Sequence, residues 1–283
     1  MNLRARLPAG MDAHKTQQTI KWIVYTLLII NFGYYIVEDW TRALHVLRDG
    51  GTFLEWAEEF ATSIDELGWF ILLAMFELET YVLEDEEWKS WVKHTVRGLR
   101  VACYVMILHT VYAYFVGAMN LYPTTAVDDV TDLCDMSSDN VSYVYNLRYT
   151  TIDEETCGSL SDATEFFWMG EDPVVSDMAG LELERDLAWV DLAEAVIWLI
   201  IVLAIEVVVR LQDRGVTGGS VLKTANGVQI VLYAVLIGIG VYWATLSHWL
   251  YFWDELVWIG GFAIIDMNIS EWREELIEEQ VTP

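Results

Sequence analysis

Three long apolar runs set the first constraint on this chain. They centre on Trp22–Trp40, Val101–Leu121 and Thr224–Tyr251, and each reaches the roughly 20 residues that an α-helix needs to cross a bilayer. Lipid offers no partner to backbone N–H and C=O groups, so such runs predict membrane-spanning helices. Composition agrees. Of 283 residues, 54% are apolar, and mean hydropathy is +0.31, although 43 acids against 16 Lys and Arg give a formal charge of −27. A chain this acidic is no nucleic-acid binder. Its 14 Trp, 14 Tyr and 10 Phe separate it from acidic disordered chains.

Leu67–Phe76, Ala195–Ile205 and Leu256–Ile265 also carry no charge, but each is short and bordered by carboxylates. Length alone reads them as buried soluble helices. Basic residues decide the count. With six spans and the N-terminus inside, the inner segments hold Arg4, Arg6, Lys15, Lys21, Lys89, Lys93, Arg97, Arg100, Arg210, Arg214, Lys223 and Arg273. The outer segments hold only Arg42, Arg48, Arg148 and Arg185. That bias follows the positive-inside rule, whereas three spans would put the Lys89–Arg100 cluster outside. Insertion is affordable. The six strongly apolar residues of Leu67–Phe76 contribute roughly −3 kcal/mol, and one central Glu costs about 3 kcal/mol. The carboxylate side of such a helix must turn toward protein or water. Glu38-Asp39-Trp40 follows the first run with no small-residue cleavage site, so that run reads as a span and not as a cleaved signal.

The short helices share a pattern. Asp65, Trp69 and Glu77 have the spacing of Glu194, Trp198 and Glu206, and of Asp254, Trp258 and Asp266. All fit [DE]-x3-W-x7-[DE]. In the long helices, Tyr25, Tyr104 and Tyr233 precede Tyr35, Tyr114 and Trp243 by ten residues, with Lys21, Arg100 and Gln229 four before. The expected architecture is an all-α integral membrane protein. Six transmembrane helices form three hairpins with a pseudo-threefold repeat, topped by a small acidic extracytoplasmic cap. Its parts are a cytoplasmic segment 1–21, helices one to three in 22–121, the cap 122–186, helices four to six in 187–270, and a cytoplasmic tail 271–283. Parallel repeats of this kind occur in transporters. The Pro-x-[DE]-x-x-[KR] motif of mitochondrial carriers is absent, and none of Pro8, Pro123, Pro173 and Pro283 lies in a span.

The repeat places Glu77, Glu206 and Asp266 at one depth, about 18 Å below the outer acids at 1.5 Å per residue. Two readings follow. Facing a common axis, the three form a carboxylate ring. Such a ring suits Na⁺, Ca²⁺ or Mg²⁺, or carries protons where the carboxylates cannot all ionise. Alternatively they are structural ion pairs, with Arg210 four residues from Glu206 on one helix face and with Lys21 and Arg100 near the inner ends of the long helices. The outer acids Asp65, Glu194 and Asp254, with Glu66 and Glu255 beside them, are helix caps or a cation-gathering vestibule. Trp69, Trp198 and Trp258 read as interfacial anchors. His109, alone among apolar residues, is a pathway residue or a cross-helix hydrogen bonder. Gly240 with Ala244, or Ala234 with Gly238, permits one close helix approach.

The segment Tyr122–Asp186 carries 16 acids and two Arg, net −14. It is too long for a plain connection, and its aromatics (Tyr143, Tyr145, Tyr149, Phe166, Phe167, Trp168) can make a small core. Cys134 and Cys157 are its expected disulfide, as fits an extracytoplasmic location. Cys103 stays free in an apolar run. Asn140-Val141-Ser142 is a glycosylation sequon. No P-loop, HExxH or CxxC is present, no lysine lies mid-span, and no span bears an arginine series. Enzyme, retinal protein and voltage sensor all lose support. The leading expectation is a cation channel or transporter with a central acidic site, needing no cofactor beyond a bound cation. The alternative is a non-transporting scaffold or subunit of a membrane complex. Expected partners are the lipid bilayer, further copies of the chain, and a protein that meets the acidic loop.

Overall fold

In a computed structural model of the chain, the described residues are 13–48, 50–78, 90–212, 214–216 and 218–263. Helix α1 covers Ala13–Val46, α2 Phe53–Glu59, α3 Ala61–Glu77, α4 Ser90–Asn120, α6 Met178–Gln212 and α7 Ser220–Thr245. A further helix, α8, starts at 249 and continues to the end of the described residues at 263. Among the described residues, four helices are long and apolar enough to cross a membrane: Gln18–Val46, His94–Asn120, Met178–Leu211 and Ser220–Thr245. The run around Ala195–Ile205, short when judged by its uncharged stretch, sits in the most apolar of these windows. Glu194, Glu206 and Arg210 interrupt it in sequence without ending the helix. Conversely, the run ending at Tyr251 is two helices. The chain breaks at Leu246–His248, with Ser247 in the left-handed region at φ 69°.

The chain divides into two compact units whose boundaries fall within helices. The first comprises Met1–Gly33, Leu67–Tyr104 and Ile197–Pro283, and the second Tyr34–Glu66 and Val105–Val196. In the first unit, α7 and α8 meet closely at Gly240. A Cβ there would lie 2.9 Å from the Phe252 ring, whereas Gly238 has nothing within 4 Å. Of the two small-residue pairs, the one holding Gly240 is therefore the packing pair. Gly261 of α8 likewise faces Val24, Leu28 and Leu73.

The second unit corrects the all-α expectation, because the acidic cap is built on a β-sheet. Strands β1 (Thr125–Ala126), β2 (Ser142–Tyr145), β3 (Arg148–Thr151), β4 (Phe166–Trp168) and β5 (Val174–Asp177) lie in the order β1-β4-β5-β2-β3. The β2–β5 pair is parallel and the others antiparallel. Hydropathy over long windows misses strands this short, but alternation of side chains between two faces explains them. Tyr143, Phe166 and Val175 face one side and join Leu133, Met136, Val141, Ile152 and Cys157 in a core. Val144, Phe167 and Val174 face the other and pack with Met169, with Leu181 of α6 and with Val46 at the end of α1. Of the expected core aromatics, Tyr145 is exposed instead. Cys134 and Cys157 are disulfide-bonded, and Cys103 is free and buried. Short helix α5 (Cys157–Leu160) carries the second cysteine.

Helix α6 begins at Met178, inside the segment read as loop, directly after β5. The last strand residue, Asp177, caps it: Oδ1 accepts the Gly180 N–H at 2.8 Å. Its Oδ2 accepts the hydroxyls of Tyr143 and Ser161. Burial would raise this carboxyl, but the bonds from Ser161, Gly180, Tyr143 and Ala179 hold it below the usual carboxylate range.

Two measurements test this account. The disulfide spans 23 residues, and loop-closure entropy gives such a cross-link about 3 kcal/mol. Reduction, or Cys157→Ser, should lower thermal stability in detergent accordingly, and an unchanged melt would refute the bracing role. A capping Asp is worth about 1 kcal/mol over Ala, so Asp177→Ala should destabilise the chain by that order at neutral pH. Because the folded value is depressed, the carboxylate's stabilising effect is complete above the unfolded pKa of about 4. It is lost as pH falls through the lower folded value. Asp177→Asn should flatten that acid-side loss in melts run from pH 6 downward.

Candidate functional site

The acids and aromatics of α3, α6 and α8 are the first candidates. Of the carboxylate trio, the Glu77 side chain and Asp266 lie outside the described residues. Glu206 is described, and it is only 4% exposed. Its Oε1 stands 3.1 Å from Arg100 Nη1 of α4, and its Oε2 stands 3.3 Å from Arg210 Nε one turn along α6. Burial makes the carboxylate costly without a partner and strengthens the pair with Arg100, which is itself mostly buried, more than the pair with the exposed Arg210. In the same unit Lys21 and Gln229, the residues spaced like Arg100 in the long helices, are buried.

Trp69, Trp198 and Trp258 are buried, which corrects their reading as interfacial anchors. All three pack on one residue, Phe262. The ring centroids lie 5.8 Å from Phe262 for Trp69, 5.3 Å for Trp198 and 6.1 Å for Trp258. Trp69 and Trp198 also contact each other at 6.0 Å. Tyr233 of α7 adds an edge-on contact to Trp198 at 6.2 Å. Nothing in the repeated pattern flagged Phe262, which has no aromatic counterpart at the matching positions Leu73 and Val202.

The acids expected at the outer helix ends are not first-turn caps, because their helices begin earlier than the uncharged runs indicate. Asp65 and Glu66 lie inside α3, Glu194 well inside α6, and Asp254 and Glu255 inside α8. In the first unit, Asp254 Oδ1 accepts the Asn31 side-chain amide at 2.6 Å, and Glu255 accepts the Trp198 indole N–H at 3.3 Å. In the second unit the true cap of α3 comes from another helix. Asp39 of α1 accepts the Ser63 N–H at 2.8 Å and the Ser63 hydroxyl at 2.7 Å. It thereby satisfies one of the donors that a helix start leaves over. His109 is half-buried on α4, and its Nδ1 has no hydrogen-bond partner among the described residues. Among those residues, no group of three His, Cys, Asp or Glu is arranged to hold a metal ion.

Arg42, Arg48 and Arg185, three of the four arginines expected outside, fasten the second unit together. Arg42 of α1 donates to the Glu59 carboxylate at 2.9 Å and to its carbonyl. Arg48, just past α1, donates to the carbonyl and side chain of Asn140, both at 2.7 Å, and to Ser142 and Thr151 of the sheet. Beside it, His45 bonds Ser142 at 2.7 Å and stacks on Tyr149. Arg185 of α6 donates to the Leu121 carbonyl at 2.9 and 2.7 Å and lies over the Tyr122 ring. Counting these arginines for topology missed their roles. Among the described residues, only Arg42 of the three takes a carboxylate partner; Arg48 and Arg185 bond carbonyl and hydroxyl oxygens, which charge pairing in the sequence could not mark.

Glu206 can be tested directly. Its partner Arg100 retains 20% side-chain exposure and Arg210 70%. Glu206→Gln should cost about 3 kcal/mol, near the lower end for breaking a buried pair, while Arg210→Ala should cost under about 1 kcal/mol. Replacing Arg100 by Met and Glu206 by Leu together should recover most of the loss. Thermal melts of the purified chain in one detergent would rank the variants, and equal losses for Glu206→Gln and Arg210→Ala would contradict the assignment. Comparison with family models, with curated proteins and with solved structures finds no match for this chain.

Proposed function

We propose that this chain is a non-transporting membrane scaffold, or a subunit of a larger membrane complex, that presents its acidic cap to a protein partner. It crosses the membrane six times as three hairpins about a pseudo-threefold axis. Both termini are cytoplasmic, and the 122–186 cap is outside. The observation that carries this reading is the packing of Trp69, Trp198 and Trp258 on Phe262. Three helices that would line a cation route between them fill that space with aromatic rings. The double ion pair at Glu206 supports the same reading, since a carboxylate held by two guanidinium groups is a poor ligand for a passing cation. The contacts of Trp69 and Trp198 with each other and with Phe262 of the third short helix bring one helix of each repeat together, which supports the threefold arrangement. The cap contributes net charge −14. Its disulfide and its arginine ties favour a preformed surface, and such a surface speeds encounter with a basic partner.

The competing reading is a cation channel or transporter with Glu77, Glu206 and Asp266 as its site. Cation flux into liposomes containing the purified protein separates the two. The expected result is flux no greater than in empty liposomes, for wild type and for a folded Glu206→Gln variant alike. Flux in wild type that Glu206→Gln abolishes, with an unchanged elution profile, would overturn the scaffold reading.

A further inference from the structure

Helix α2 is short, but its residues are sorted with care. At about 100° per residue, Phe53, Trp56, Ala57 and Phe60, the residue that ends the helix, fall on one side with Leu54 at its edge. Glu55, Glu58 and Glu59 share the opposite side. The helix start is fully built: the Thr52 hydroxyl accepts the Glu55 N–H, and the Glu55 carboxylate accepts the Thr52 N–H. At this capped end two apolar side chains are strongly exposed, Phe53 by 84% and Leu54 by 67%.

The contacts of α2 fix which way that side turns. On the acidic side, Arg42 of α1 holds both the carboxylate and the carbonyl of Glu59. On the apolar side, the Trp40 ring of α1 lies 5.7 Å from Trp56 and 6.3 Å from Phe60, and Trp56 lies 6.0 Å from Phe60. Trp40 is itself part of an exposed stripe on α1 with Val37 and Leu44. That stripe belongs to one of the four helices apolar enough to span a membrane. The apolar side of α2 therefore continues, through touching aromatic rings, the surface that α1 turns to lipid.

We infer that α2 is an in-plane interfacial helix that sinks Phe53 and Leu54 into the headgroup–acyl boundary of the outer leaflet. Its partner is the bilayer itself, and the contact is apolar: α2 has three Glu and no Lys or Arg, so it has no charge attraction to anionic lipid. The inference rests on the outward placement of the cap proposed above.

Nitroxide labels read depth and test it. Cys103 is buried and Cys134 and Cys157 are disulfide-bonded, so a single introduced cysteine can be labelled selectively in the full chain. Phe53→Cys, Leu54→Cys, Glu58→Cys and Val37→Cys would each be labelled in vesicles of a neutral phosphatidylcholine. Collision with oxygen, which prefers the acyl region, would be compared with collision with a water-soluble nickel chelate. The expected result is an oxygen-to-nickel ratio that is high at 53, 54 and 37 and low at 58. A high ratio at 37 with a low ratio at 53 and 54 would overturn the inference while leaving α1 in the membrane. Poor access of both probes to 53 and 54 would overturn it in favour of a protein contact. A low ratio at 37 as well would remove the membrane reading together with the inference. Trapping the chelate on one side of the vesicles tests orientation separately: Glu58 should respond only to chelate on the side where the cap is cleaved by added protease.

Discussion

A carboxylate carried into an apolar helix must meet a donor, and this requirement shapes the packing of the chain. Leaving such a group unmet costs several kcal/mol or forces it to take up a proton. Glu206 meets two guanidinium groups, Asp254 an amide, Glu255 an indole N–H, and Asp39 the first turn of α3. Each of these contacts joins a different pair of segments, except the one Glu206 makes within its own helix. Apolar surface alone does not select partners among helices that are all apolar, because lipid satisfies that surface equally well. Polar pairs do select, and so the acids that make these helices look marginal in sequence also specify how they pack.

The tryptophans show the same logic in another currency. An indole has a large apolar body and one N–H that needs an acceptor when buried. Trp198 finds it in Glu255 while its ring packs on Phe262. One side chain thus serves the aromatic cluster and the acid next to it. The spacing of acid and Trp along the helix is the trace of that double use.

Much of this was legible in sequence, for reasons that differ by element. The apolar runs of α1, α4 and α7 are long, so composition alone located them. The Cys134–Cys157 bond followed from two cysteines in one polar segment, and the i,i+4 spacing of Glu206 and Arg210 marked them as a possible pair. Helix starts were read too late at α3, α6 and α8, because the uncharged stretch was taken for the helix. Charged residues such as Glu184 and Asp191 continue α6 well above it. The sheet was missed because strands of two to four residues leave little periodicity, and Tyr143 and Val144 face two different cores. Phe262 could not be singled out: its importance comes from Trp69 and Trp198, both far away in sequence, with Trp258 one turn before it on the same helix. Helix α2 leaves no hydropathy signal, because seven residues with three Glu are neither long nor apolar enough to resemble a span.

The junction of β5 and α6 has a mechanical consequence. Asp177 is at once the last residue of a paired strand, in register with Phe166, and the cap of a 35-residue helix. A helix tethered in this way cannot slide along its own axis without pulling a strand out of its ladder. Free helices answer a bilayer that is too thick or too thin by tilting, by shifting depth or by deforming the lipid around them. Shifting is closed to α6 on its own. Any mismatch must go into tilt, into the lipid, or into movement of the cap with the helix. In the proposed membrane placement, thickness would be felt first where α6 leaves the sheet, because that start is fixed by hydrogen bonds and not by lipid.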